Sequence, residues 1–216
     1  MTRDGQNGSV VSHRYAYSEA QVHRILRSAF NAARRRQGKV CVTTKPGGIP
    51  SISELWRTQA EALSAETGVK LSVLEIDNAV YQLIANPQNF DVVASPNMFG
   101  DVLADAGALL LGSRGMSYSG NFGSGGKAVY QTAHGAAHDL AGTDRANPLG
   151  QVLSVAMMLR ESFDLPEASD RICRAVDTVL ARGLRTPDIA AKNSIIVGTK
   201  EMSRLVRDAV NDEGCK

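Results

Sequence analysis

The chain has 216 residues, of which 43% are hydrophobic and 21% charged, and its 24 basic and 22 acidic side chains give a formal charge of +2. This composition excludes a largely disordered chain, a collagen-like repeat and a disulfide-stapled scaffold, and the length suggests one or two domains. The balanced charge argues against a nucleic-acid-binding protein. A basic run at 34–36 ends a predicted helix, where cations complement the helix dipole.

The cysteines indicate the compartment. Cys41, Cys173 and Cys215 are odd in number and widely spaced, so we predict free thiols in a reducing environment. Segment 1–8 has no apolar core of a secretory signal, and no apolar run approaches the roughly 18–20 residues that span a bilayer. We therefore expect a cytoplasmic protein that does not contact a membrane.

Hydrophobic periodicity predicts helices alternating with strands. After an irregular lead-in, in which Val10-Val11 fits a short strand, a helix begins at Ser18, which can cap it. The other predicted helices are 51–67, 77–85, 99–111, 147–163, 167–182 and 194–210, and the predicted strands are 39–44, 69–76, 91–94 and 128–133. Stretch 112–126 holds six glycines and is predicted as a loop or boundary. The alternation predicts an α/β protein with a mostly parallel sheet.

A first candidate site is the pair Asp101 and Asp105, at the start of an otherwise apolar helix. Residues four apart on a helix share a face, with Cβ atoms roughly 6 Å apart. Two carboxylates so placed suit a hard cation such as Mg²⁺ or Mn²⁺. On spacing alone the alternative stays open that these acids simply favour the helix dipole.

A second candidate lies in segment 134–148, HGAAHDLAGTDRANP, between a predicted strand and a predicted helix. Loops at strand ends in α/β sheets bind nucleotides. An acidic side chain there can accept both ribose hydroxyls and would repel a 2′-phosphate. The glycine-rich dinucleotide fingerprint is absent, and loop histidines are more often plain surface residues, so the segment alone is a weak signal.

A third candidate joins Lys45 and Asp77, which follow consecutive predicted strands. A lysine near carboxylates and a cation can carry a proton if burial lowers its pKa. A solvent-facing lysine is the alternative that stays open.

Together these segments resemble the C-terminal part of the β-decarboxylating dehydrogenases, the family of 3-isopropylmalate, isocitrate, homoisocitrate and tartrate dehydrogenases. The matching text is FDVVASPNMFGDVLAD at 90–105, GSRGM at 112–116, segment 134–148, and LSVAMML at 153–159. The resemblance covers about 10–210. It implies an isopropylmalate dehydrogenase-like α/β fold lacking the N-terminal part of the first domain. On that pattern 10–125 is the central, dimer-forming domain and 126–216 the C-terminal part of the nucleotide-binding domain.

The resemblance also implies a chemistry, the oxidation by NAD of a malate-like 2-hydroxy acid that then loses CO₂, assisted by Mg²⁺ or Mn²⁺. It implies Asp77, Asp101 and Asp105 as metal ligands, Lys45 as the proton carrier, and a catalytic role for Asp77 as well. Lys45 and Asp77 are expected to reach into a partner subunit's site, which implies a homo-oligomer. The residues expected to hold the adenosine half are His134, Gly135, Ala136, Asp139 and Asn147, and Asp139 favours NAD over NADP.

The sequence departs from the family in three places. Thr44-Lys45-Pro46-Gly47 stands where the family has Asp-Lys-x-Asn, Gln131 replaces a glutamate, and His138 replaces a proline. The family's substrate-binding arginines and its reprotonating tyrosine fall in the part that is not matched; Tyr15 and Tyr17 come after the expected place. Three hypotheses stay open. The chain is one half of a split enzyme completed by a separate N-terminal polypeptide, or a non-catalytic regulatory member, or the product of an incomplete or decaying gene, in which the true start lies upstream or function is being lost.

Overall fold

The structure is a computed structural model that describes residues 2–4, 8–12, 14–123 and 125–212. The chain forms two compact units, 1–103 and 104–216. These units are parts of the observed fold, whereas the domain division at 125–126 follows the family resemblance and stays a prediction.

The first unit is built on a parallel three-stranded sheet. Its elements are β1 (Thr2–Asp4), β2 (Gly8–Val10), α1 (Glu19–Arg34), β3 (Lys39–Thr44), α2 (Pro50–Thr67), β4 (Lys70–Glu75), α3 (Ile76–Ala85) and β5 (Val92–Ala94). Strands β4, β3 and β5 lie side by side in that order, all parallel, while β1 and β2 pair antiparallel. Helix α4 (Asn97–Leu110) begins in this unit and runs past its boundary.

Helices α1 and α2 pack on the sheet through apolar faces that the sequence spaces at helical intervals. Leu26 and Phe30 of α1 and Leu63 of α2 are almost completely buried, together with Val40 and Val42 of β3. Burial of each such side chain stabilises the fold by about 1.5–3 kcal/mol. This packing holds the central strand β3 in place. It therefore also fixes the position of Lys45, the residue that follows β3.

The described part of the second unit contains the end of α4, three further helices and two small sheets. Its elements are β6 (Tyr118–Phe122), β7 (Ala128–Thr132), α5 (Leu149–Glu161), α6 (Pro166–Ala181), β8 (Leu184–Arg185), β9 (Ile195–Ile196) and α7 (Thr199–Asp212), with short 3₁₀ turns at Arg114–Met116, His138–Leu140 and Pro187–Ile189. Strands β6 and β7 are antiparallel, and β8 and β9 are parallel. Leu149, Val179 and Met202 are fully buried where α5, α6 and α7 pack together.

The predicted fold class is confirmed, but some elements differ. Strand β6 lies inside the glycine-rich stretch that was predicted as a loop, and β8 and β9 were not predicted. Helix α7 begins at Thr199 rather than at 194, because Ile195 and Ile196 pair with β8 instead. Within the residues that the structure describes, none of the helices has the length and apolar character that a membrane span requires. Cys41 and Cys173 are free thiols, and Cys215 lies outside the described residues.

Candidate active site and nucleotide pocket

Lys45 lies at the carboxyl edge of the sheet, between two carboxylates. Its Nζ donates to Asp77 Oδ1 at 3.0 Å and to Glu75 Oε2 at 3.1 Å. The parallel register pairs Thr44 with Glu75, so the residues that follow β3 and β4 must lie side by side. The backbone N–H of Lys45 donates to the buried Ser53 Oγ at 3.0 Å, which fixes the start of the turn.

The two carboxylates keep Lys45 charged. Hydrogen bonds to Asp77 first and Glu75 second raise the pKa of Lys45 above its ordinary value, and the same bond from Lys45 lowers the pKa of Asp77. The Lys45 side chain is 36% exposed, and that of Asp77 69%. In this arrangement Lys45 holds a proton and does not accept one.

Glu75 was not among the predicted site residues. The sequence gives it no distinguishing feature, since it is one acid at the end of a strand. The register of β3 with β4 is what brings it to Lys45.

Asp101 and Asp105 lie on α4, as predicted, and both are exposed. Arg114 Nη2 donates to Asp105 Oδ2 at 2.6 Å. Exposed carboxylate oxygens suit a hard divalent cation, so the donor chemistry fits Mg²⁺ or Mn²⁺, although Asp105 already has Arg114 as a counter-ion.

The structure does not gather Asp77, Asp101 and Asp105 into one cluster. Among residues 2–4, 8–12, 14–123 and 125–212 there is no group of three or more histidine, cysteine, aspartate or glutamate side chains that could hold a metal ion. The resemblance expects Asp77 to serve a partner subunit's site, so one subunit need not bring the three together, and the metal assignment stays a prediction.

The second unit contains a pocket of about 800 Å³, a size typical of small-molecule and cofactor sites. Four of the five residues predicted to hold the adenosine half line it, namely His134, Gly135, Ala136 and Asn147, and their role stays a prediction. Asp139 is exposed and is not part of the wall, although its neighbours on both sides are. Other lining residues are Ser113, Arg114, His138, Asp188, Thr199 and Lys200.

Asn147 is held in one orientation. Its Oδ1 accepts from the backbone N–H of Leu149 at 2.9 Å, at the start of α5, and its Nδ2 donates to Asp188 Oδ2 at 3.1 Å. Thr186 Oγ1 donates to Asp188 Oδ1 at 2.6 Å. Burial disfavours the Asp188 carboxylate, but hydrogen bonds from Ser113, Thr186 and Asn147 outweigh this and hold its pKa below the usual value. Asp188 is a pocket residue that no pattern in the sequence indicates.

The start of α7 is tied to the same pocket. Asp144 Oδ1 accepts from the backbone N–H of Lys200 at 2.9 Å, and its carbonyl accepts from that of Thr199 at 3.0 Å. A Cβ at position 198 would lie 2.4 Å from Asp144 Oδ2, so this close approach requires Gly198. Two helix N-termini, those of α5 and α7, therefore border the pocket, and such N-termini favour anionic groups.

A parallel α/β sheet with a lysine and carboxylates at its carboxyl edge, together with a nucleotide-sized pocket, is typical of nucleotide-dependent α/β enzymes. The chain belongs to the isocitrate/isopropylmalate dehydrogenase family, whose family model matches residues 1–206. This confirms the resemblance predicted from the motifs.

Individual relatives agree with this assignment. The 3-isopropylmalate dehydrogenase of Synechococcus sp. (strain JA-3-3Ab) is 48% identical over 196 residues, which are 90% of this chain and 51% of the relative. The isocitrate dehydrogenase structure from Methylococcus capsulatus has a TM-score of 0.86 and 31% identity, covering 96% of this chain and 61% of that one. The apo β-decarboxylating dehydrogenase from Thermococcus kodakarensis has a TM-score of 0.80 and 30% identity, covering 94% and 60%. The chain spans about half the length of the curated relatives it matches.

Proposed function

We propose that this chain takes part in the NAD-dependent, Mg²⁺- or Mn²⁺-assisted oxidative decarboxylation of a malate-like 2-hydroxy acid of the 3-isopropylmalate or isocitrate type. The observation that carries the proposal is the Lys45–Asp77 pair at the carboxyl edge of the sheet, joined at 3.0 Å. The pocket around His134 and Asn147 supports the cofactor half of the proposal.

The chemistry assigns a proton to Lys45. Bound NAD would supply the oxidant that takes hydride from the hydroxyl-bearing carbon, and Lys45 Nζ, which must first be neutral, would accept the hydroxyl proton. The bond between the next carbon and its own carboxylate, which is now β to the ketone, would then break and release CO₂. The enolate that is left would take up a proton at that carbon to give a 2-keto acid. A bound divalent cation would polarise the substrate's oxygen throughout, and Asp77, Asp101 and Asp105 would hold it.

The cofactor's adenosine half would occupy the pocket of the second unit. His134, Gly135, Ala136 and Asn147 would form its wall, with Asn147 kept in place by Asp188. Asp139, which lies outside the pocket wall, would have to turn toward the cofactor for its carboxylate to accept the ribose hydroxyls. A 2′-phosphate would prevent this contact. This preference supports NAD as the cofactor.

The substrate-binding residues would come from elsewhere. We propose that a separate N-terminal polypeptide supplies the arginines and the tyrosine, and that two copies of this chain exchange Lys45 and Asp77. A cytoplasmic location fits the reduced cysteines, and like the complementing polypeptide it stays a prediction.

The alternative is a non-catalytic member that binds a nucleotide or a metal for regulation. The departure at 44–47, where the family has Asp-Lys-x-Asn, favours it. So does the charged state of Lys45, because a protonated lysine cannot act as a base.

Calorimetric titration of the purified chain with NAD and with Mn²⁺, alone and with a candidate N-terminal polypeptide, tests the proposal. Tight binding only with the second polypeptide supports a split enzyme, and binding without it supports the regulatory alternative. Absence of binding in both cases contradicts both functions.

The metal role has its own test. Asp101→Asn should abolish the rise in melting temperature that Mn²⁺ produces, because one carboxylate ligand is lost. Asp177→Asn removes an exposed aspartate from α6 and should leave the rise intact. An unchanged Mn²⁺ response in Asp101→Asn would show that this assignment is wrong.

A further inference from the structure

One predicted metal ligand already has a positively charged partner. Arg114 begins the 3₁₀ turn that follows α4, and its Nη2 lies 2.6 Å from Asp105 Oδ2. Both side chains are largely in solvent, at 64% exposure for Arg114 and 57% for Asp105. The guanidinium thus occupies one oxygen of a carboxylate that a cation would also need.

A guanidinium and a divalent cation oppose each other at one carboxylate in two ways. They compete for the lone pairs of the same oxygens, since the arginine must give up its hydrogen bond before the cation takes full coordination. They also repel each other while both stay near the aspartate. Each effect weakens cation binding without changing the ligands themselves.

We propose that Arg114 is a built-in counter-ion of Asp105 that competes with the divalent cation and so sets how tightly α4 binds it. This inference rests on the proposed metal role of Asp101 and Asp105. It makes Arg114 an affinity-determining residue, whose function in the absence of metal is to neutralise Asp105.

The size of the effect follows from exposure. An ion pair between exposed side chains shifts an equilibrium by up to about fivefold, and removing a positive charge beside a divalent cation adds to this. We therefore expect Arg114→Gln to bind Mn²⁺ roughly three- to tenfold more tightly than the unaltered chain. Because the pair is exposed, its loss should not prevent folding.

Titration with MnCl₂, with free Mn²⁺ followed by electron paramagnetic resonance, measures this directly and needs no catalytic activity. Arg207→Gln is the matched control. Arg207 is 68% exposed and pairs with Asp208 at 3.0 Å on α7, so the variant removes the same charge from a similar ion pair. Its Mn²⁺ affinity should stay within about twofold of the unaltered chain.

A second variant tests whether the charge of Arg114 or its shape determines the Mn²⁺ affinity. Arg114→Lys keeps the positive charge and should keep most of the weaker Mn²⁺ affinity, whereas a purely structural role in joining the turn to α4 would not depend on charge in this way. Tighter binding in Arg114→Gln, with Arg114→Lys close to the unaltered chain, supports the proposal.

Two results would overturn the proposal, and they distinguish a wrong role for Arg114 from a wrong metal site. If Asp101→Asn loses Mn²⁺ binding while Arg114→Gln binds as before or more weakly, the metal role of α4 stands and Arg114 is not a competitor. If neither the unaltered chain nor Arg114→Gln binds Mn²⁺, the metal role itself is wrong, and the inference falls with it.

Discussion

Gly150 should be irreplaceable by alanine although it lies in a helix. It is buried in the first turn of α5, and a Cβ there would meet the carbonyl oxygens of Gly115 and Ser117, each at 2.8 Å. Alanine is favoured over glycine in a helix by about 0.5–1 kcal/mol. Overpacking of a tight contact costs about 1–3 kcal/mol, and backbone oxygens cannot rotate away as a flexible side chain can. The steric cost of the added Cβ therefore exceeds the gain in helix propensity, and we expect Gly150→Ala to lower the free energy of unfolding by about 1–2 kcal/mol.

Thermal and urea unfolding measure this effect. For a chain of this size the loss corresponds to a fall of roughly 2–8 °C in melting temperature. Gly107→Ala in α4 is the control, since its added Cβ has nothing within 4 Å, and it should be neutral or stabilising by up to about 1 kcal/mol. Gly150→Ala should also weaken NAD binding, because Gly115 and Arg114 line the pocket. Stability equal to or above that of the unaltered chain would refute the packing argument.

Two further predictions concern carboxylates. Asp139→Ala should weaken NAD binding about tenfold or more, because the ribose hydroxyls lose a charged acceptor; equal affinity by calorimetry would rule out the ribose role. Asp91 has a fully buried side chain that accepts hydrogen bonds from Arg36 Nε and the backbone N–H groups of Gln37 and Lys39, and these outweigh its burial and lower its pKa. A lowered pKa in the folded state stabilises the fold above the unfolded-state pKa of about 3.9. The unaltered chain should therefore have a higher free energy of unfolding than Asp91→Asn at pH 7, and this difference should vanish as the pH falls below about 4. Urea unfolding of both proteins from pH 7 downward measures it. A difference that does not depend on pH would contradict this reasoning.

The elements that the sequence predicted well are those with strong local signals. Strand β3 was predicted to the residue, because a β-branched run lies between Gly38, with φ of 72°, and Pro46. The start of α1 follows from its capping box, in which the Ser18 and Gln21 side chains each bind the other's backbone N–H. Helix α2 ends where Gly68 adopts a left-handed conformation. In each case the signal and the structure lie within a few residues of each other.

The elements that were missed depend on distant pairing. Strand β6 reads Tyr-Ser-Gly-Asn-Phe, which has no apolar alternation, and it becomes a strand because β7 pairs with it. Strands β8 and β9 have two residues each, too few to show a period. They form because the segment between α6 and α7 folds back so that β8 and β9 pair. The local sequence does not indicate this pairing.

The same distinction applies to the site. That Lys45 and Asp77 lie together could be predicted, since both follow strands whose carboxyl ends meet at one edge of a parallel sheet. The contact of Asp188 with Asn147 joins residues 41 positions apart, and the contact of Arg114 with Asp105 crosses a turn. Neither pair has a spacing that indicates contact, so only the fold reveals them.

The charged state of Lys45 makes a last prediction, which bears on the proposed chemistry. A lysine that accepts the substrate's proton must be neutral, yet its hydrogen bonds to Asp77 and Glu75 raise its pKa. If Asp77 turns to a bound cation, Lys45 loses the larger of the two stabilising bonds and its pKa should fall. Asp77→Asn imitates that loss, because the amide keeps the shape without the charge, and we expect the pKa of Lys45 to fall toward the ordinary value of about 10.4.

Nuclear magnetic resonance titration of isotopically labelled lysine side chains can follow this, because the chain has only 7 lysines and Lys45→Arg identifies the signal. Glu61→Gln, which removes a carboxylate from an Arg57 pair on α2, is the control and should leave the pKa of Lys45 unchanged. An unchanged pKa in Asp77→Asn would mean that Glu75 alone keeps Lys45 protonated. Cation binding by Asp77 could then not lower the pKa of Lys45 enough to make it a base. This result would favour the alternative of a non-catalytic regulatory member.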